Sequence, residues 1–121
     1  MQAWIGRPEL VLPLLHGDIS NAACALLMVA PDMRSQICAQ LVADASQAAA
    51  HVRRTGRLHP RYGNGSLMAA ARARGVADEP GFDDPDYCGC VIEVLKAVMR
   101  YRETEGCHVK DSPDYKGLAE S

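Results

Sequence analysis

Between Asp32 and Thr55, apolar side chains return at spacings of four, four, three and four: Ile37, Leu41, Ala45, Ala48 and Val52. Only an α-helix puts such a series on one face, and Cys38, Val42 and Ala49 widen it into a broad stripe. A stripe of that length must be covered by other elements. The remaining sequence has little to build a sheet from, with 18 Ala and 11 Leu against 2 Thr, 4 Ile and 6 aromatic residues. A chain of 121 residues supports one core, so the expected fold is a single all-α domain.

Prolines, glycines and acids divide the chain into a small bundle of three longer helices and one short one. Asp18 or Ser20 is the expected cap of a first helix whose face is Ile19, Ala22, Ala23, Leu26 and Leu27. Pro31-Asp32 opens the second helix, predicted over 32–55, with Arg53 and Arg54 in its last turn and Gly56 beyond it. Ser66 caps a short helix through Arg74, and Gly75 stops it. Asp84-Pro85-Asp86 starts the last helix, predicted over 85–104, with Tyr87, Val91, Val94, Leu95 and Val98 on its inner face. Pro8 and Pro13 make residues 1–17 an extended N-terminal strap, and the polar residues 105–121, broken by Pro113, make a frayed C-terminal tail. The domain itself is expected over 18–104.

Several classes of protein are disfavoured. No apolar run approaches the roughly 18 residues a membrane span needs, and no leader precedes a cleavage site. The five cysteines are odd in number, and three sit inside apolar helical patterns, as expected of reduced thiols in the cytoplasm. Cys88-Gly89-Cys90 and Cys107-His108 lack the spacing of a tetrahedral zinc site, because helical positions 88 and 90 point about 200° apart. Gly63-Asn64-Gly65-Ser66 is neither a Walker A loop nor a dinucleotide fingerprint, since no strand precedes it and no Gly-Lys-Ser/Thr follows. His16, His51, His59, Ser66 and the cysteines are chemically able acids, bases and nucleophiles, but nothing in their spacing brings them together. Asp83, Asp84 and Asp86 sit where a helix N-terminus favours acids. No cofactor, metal or enzymatic activity is expected.

The informative asymmetry is in charge. The formal net charge of −2 conceals a middle, residues 45–77, with six arginines and no acid, and an end, residues 78–121, with five bases and eleven acids. The candidate binding residues are Arg53, Arg54, Arg57, His59, Arg61, Tyr62, Asn64, Ser66, Arg72 and Arg74. Arginine forks fit phosphate, a tyrosine ring can stack on a base, and a glycine-flanked helix N-terminus favours anions. The same arginines can instead cap helix ends, pair with the acidic segment 78–86, or simply face water.

The run Arg53-Arg54-Thr55-Gly56-Arg57-Leu58-His59-Pro60, continuing through Gly63-Asn64-Gly65-Ser66-Leu67-Met68-Ala69-Ala70-Ala71, resembles a family of short alphaproteobacterial proteins defined as a domain of unknown function. Leu15-His16-Gly17-Asp18 and Asp83-Asp84-Pro85-Asp86-Tyr87 match the same pattern, which covers residues 12–104. The resemblance implies a small terminase-like subunit of phage-like gene transfer agents, a helical oligomer that holds DNA for a large terminase. It brings no catalytic residue. The expected function is therefore a non-enzymatic module that binds nucleic acid backbone without sequence preference and assembles with its own copies. The alternative is an adaptor whose basic segment docks an acidic protein partner.

Overall fold

The computed structural model describes residues 14–110, with side chains described through Glu103. Helix α1 spans His16–Leu27, α2 Arg34–Thr55, α3 Leu67–Arg74 and α4 Pro85–Lys110, and a 3-10 turn at Pro31–Met33 leads into α2. This is the all-α bundle of three longer helices and one short one that the punctuation predicts. The described residues contain no strand, only an antiparallel bridge between His59 and Gly63. The strap over residues 1–13 and the tail over residues 111–121 lie outside the described residues.

Helix α1 is the centre. Each of the other three helices packs against it, and α2 also packs on α3 and α4. Its short side chains make this possible: Ala22, Ala23, Cys24, Ala25 and Leu26 are all buried, so neighbours approach from several sides. The expected face is correspondingly too narrow. Ile19 and Leu27 are half-buried at its edges, and Cys24 and Ala25 join the core. The largest fully buried side chains are Tyr87, Leu26, Leu41, Leu67 and Val94.

Two polar clamps hold the ends of α1. At its start, neither Asp18 nor Ser20 is the N-cap. Helix α1 begins at His16, two residues before the predicted boundary, and Leu15 is the capping position. Asp18, one turn inside, turns back to accept the Leu15 N–H through Oδ2 at 2.9 Å. Its Oδ1 accepts the Met68 N–H in the first turn of α3, also at 2.9 Å. One carboxylate, 4% exposed, thus satisfies donors at two helix N-termini, where the partial positive charge of both helices favours it. At the other end, Arg34 Nε donates to the Leu26 and Val29 carbonyls at 2.9 and 3.1 Å. Its Nη1 and Nη2 reach the Asp86 carboxylate in the first turn of α4 at 2.7 and 3.3 Å. That hydrogen-bonded arginine holds the Asp86 carboxyl below its ordinary range.

The remaining stops follow the sequence closely. Gly56 takes the left-handed conformation (φ 74°) after α2, and its N–H returns to the Val52 carbonyl. Asp84 Oδ1 accepts the Asp86 and Tyr87 N–H groups at the start of α4. Helix α4 runs six residues past its predicted end, through Gly106. A single glycine costs a helix only about 1 kcal/mol, too little to end one that is otherwise continuous. Leu95, expected on the inner face, is 44% exposed, and Cys90 and Ala97 are buried instead.

Cys24, Cys38 and Cys90 are core residues, and Cys88 is half-buried; all four are free thiols. Burial pushes the Cys38 thiol from its ordinary 9.0 up to about 12 and raises those of Cys24 and Cys90.

Two measurements check this fold. Asp18→Ala leaves helix donors at both N-termini unmet and is expected to cost about 2–4 kcal/mol in urea denaturation, with Asp18→Asn retaining part of the loss. In alkaline solution the unfolded chain releases its thiol protons near pH 9, whereas folded Cys38 keeps its proton to about 12. Stability is therefore expected to be full below about pH 9 and to fall as pH rises towards about 12, and Cys38→Ala reduces that fall.

Candidate nucleic-acid interface

The six arginines of the basic middle fall into two groups. Arg53 and Arg54 occupy the last turn of α2, and Arg57 and Arg61 the loop that follows; all four are exposed. Arg72 and Arg74, also exposed, sit in the last turn of α3. Helix α3 starts at the loop and points away from it, which carries Arg72 and Arg74 about 9 and 12 Å from the Ser66 cap at 1.5 Å per residue. Hydrogen bonds fix that direction. The Met68 N–H meets Asp18 near the start of α1, and the Ala77 N–H meets the Cys24 carbonyl further along it, so α1 and α3 run side by side in the same sense. The loop end of the bundle therefore gathers four arginines and leaves two at the far end of α3.

The loop that carries Arg57 and Arg61 is tightly built. Thr55 Oγ1 donates to the His51 carbonyl at 2.8 Å and accepts the Arg57 N–H at 3.0 Å. His59 and Gly63 exchange two backbone hydrogen bonds of 2.9 and 3.1 Å. The His59 Nδ1 accepts the N–H groups of Arg61 and Tyr62 at 3.0 and 3.1 Å, which places its ring proton on Nε2. Tyr62 stacks on the His59 ring at 5.1 Å, His51 meets His59 edge-on at 5.2 Å, and the Arg61 guanidinium lies 5.3 Å from the centre of the Tyr62 ring. Gly65 seats the loop on α2. Its φ is +92°, and a Cβ built there would come within 2.6 Å of the Ala49 Cα.

Several candidates thereby acquire local duties. Asn64 Oδ1 accepts the Ser66 N–H at 2.9 Å, and Ser66 Oγ accepts the Ala69 N–H at 3.0 Å as the cap of α3. The anion expected at this helix N-terminus is the protein's own, because Asp18 occupies the Met68 N–H. His59 and Tyr62 shape the turn from half-buried positions. The exposed side chains of Arg54, Arg57, Arg61, Arg72 and Arg74 are what remains for an outside partner.

The acidic segment 78–86 turns elsewhere. Tyr87 donates to Glu79 at 3.4 Å, Phe82 packs on the Tyr87 ring at 5.4 Å, and Asp86 pairs with Arg34. Among the described residues no carboxylate forms an ion pair with Arg54, Arg57, Arg61, Arg72 or Arg74. No group of three His, Cys, Asp or Glu side chains able to hold a metal ion is found among the described residues either. None of the described helices is long and apolar enough to cross a membrane.

Residues 12–98 match the model of a domain of unknown function, DUF7742. The chain belongs to that family. The DUF7742 match takes in Asp18, Arg34, the loop and all six arginines, and it ends inside α4. No curated protein and no solved structure matches the chain. Sequence reasoning missed Asp18 as a cross-helix cap and His51 as part of the ring cluster. The first depends on a residue fifty positions away. The second had a local signal, since His51 lies one turn before Thr55 at the end of α2.

The two loop glycines separate strain from crowding. Gly56 has open space around it, so Gly56→Ala carries only the left-handed backbone cost of about 1–2 kcal/mol. Gly65→Ala adds a collision with α2 backbone and is expected to cost about 1–3 kcal/mol more, read from paired thermal melts.

Proposed function

We propose that this chain is a non-enzymatic module, working in the cytoplasm, that binds the phosphate backbone of nucleic acid through Arg53, Arg54, Arg57 and Arg61. Arg72 and Arg74 extend the contact along α3. The observation that carries this reading is the pairing of exposure with rigidity: arginines held out by a pinned loop, with the acidic segment packed elsewhere. A planar, permanently charged fork on a stiff support loses little freedom on meeting phosphate. The Tyr62 ring, expected to stack on a base, packs instead against His59 and Arg61, so the contact falls to arginine and phosphate, which position the backbone without reading sequence. Within this reading the module has a place in phage-like DNA packaging, handing DNA to a large terminase.

The test is fluorescence anisotropy with labelled duplex DNA over a salt series. Three or four engaged arginines predict a log–log slope of about −3 to −4. Arg57→Ala with Arg61→Ala is expected to flatten that slope by up to about two without loss of helicity, and Arg72→Ala with Arg74→Ala by less. Different duplex sequences should bind alike. Wild-type protein with no salt-sensitive DNA binding would overturn the proposal and leave the adaptor for an acidic protein as the better reading.

A further inference from the structure

A single imidazole nitrogen closes the tip of the loop between His59 and Gly63. Pro60 has no N–H, and the next two backbone donors, those of Arg61 and Tyr62, both end on the His59 Nδ1 at 3.0 and 3.1 Å. Only an unprotonated nitrogen can accept them. A Cδ2–H turned to the same place would face two N–H groups, so the ring has one workable orientation. Imidazole is also the side chain that ordinarily gains a proton between pH 5 and 8. A proton on Nδ1 turns the shared acceptor into a third donor, facing the Arg61 and Tyr62 N–H groups with nothing between them to accept.

The surroundings offer an imidazolium no compensation. From α2, His51 meets the ring edge-on; from the loop, Tyr62 stacks on it, with the Arg61 guanidinium 5.3 Å from the Tyr62 ring centre. Residues 67–71 at the start of α3 bear no charge, and residues 45–77 contain no acid. The acids on neighbouring elements are engaged. Asp18 of α1 accepts from Leu15 and Met68, and Asp44, two turns before His51 on α2, accepts from Gln40. A cation created in this stack therefore adds to the charge of Arg61 instead of meeting a carboxylate. We propose that residues 59–63 are a pH-sensitive latch, closed while His59 is neutral and released when a proton takes Nδ1, so that acid frees the tip bearing Arg61. The two backbone hydrogen bonds between His59 and Gly63 do not involve the ring, which confines the release to residues 60–62. The closed turn is complete above the imidazole range and is lost as pH falls through it. The latch is a property of the loop itself, whichever partner the arginines meet.

Amide exchange of the full chain, followed residue by residue by NMR from about pH 8 to about pH 5, tests this. Once the intrinsic pH dependence is divided out, exchange at Arg61 and Tyr62 is expected to rise at least about tenfold as pH falls. Leu41 and Val94 in the core should stay protected throughout. His59→Asn supplies an oxygen that takes up no proton and can accept the same two donors, as Asp84 Oδ1 does for Asp86 and Tyr87. Both loop amides should then stay protected at every pH. His59→Phe keeps a ring against Tyr62 and removes the acceptor, so both should exchange freely at every pH with the core intact. His51→Gln should leave the pH dependence in place. Wild-type protection that does not change with pH overturns the proposal, as do amides that stay protected in His59→Phe. So does a change that persists in His59→Asn or disappears in His51→Gln, because another group then carries it.

Discussion

The Asp18 carboxylate is the point from which the bundle is laid out. It lies buried between the first turns of α1 and α3 and accepts one backbone donor from each. A buried carboxylate is tolerable only where donors meet it, and two helix N-termini supply both hydrogen bonds and favourable partial charge. The consequence reaches beyond the two helices. Because α3 must begin beside Asp18, it runs alongside α1, and the loop before it must close over the end of α2. Gly65 makes that closure possible, since any larger residue would meet the Ala49 backbone.

Everything else is arranged around a central helix made of small residues. Alanines at 22, 23 and 25 let three helices come close, but they contribute little apolar area of their own, so the core relies on Tyr87, Leu26, Leu41, Leu67 and Val94. Arg34 secures the opposite end, joining the final carbonyls of α1 to the first turn of α4. With both ends of α1 satisfied by charged side chains inside the bundle, the surface arginines have no structural duty at those ends.

The loop end of the molecule thus combines firmness with exposed positive charge. The Arg53 and Arg54 side chains complete the C-terminal turn of α2, where cations suit the helix dipole, and Arg57 and Arg61 project from a turn pinned by His59. Helix α4 carries a wider apolar arc than the bundle covers, leaving Ile92, Leu95 and Met99 exposed.

The helices, their order and most of their stops were legible in the residues alone. The stripe from Ile37 to Val52, Gly56 and Gly75 as terminators, Ser66 and Asp84 as caps, and the cysteines of the core are consequences of period and local hydrogen bonding, which act over a few residues. Tertiary structure decided what those signals do not contain. Asp18 read as a local cap and became a clamp to Met68, Arg34 joined Asp86 fifty-two positions away, and the anion-binding helix N-terminus was filled from within. It also split six arginines into two groups and turned Leu95 from an expected core position into an exposed one. The reason is the same in each case. A side chain's period says that it lies on a face, but only the packing of distant helices determines which faces are covered and which charges find a partner.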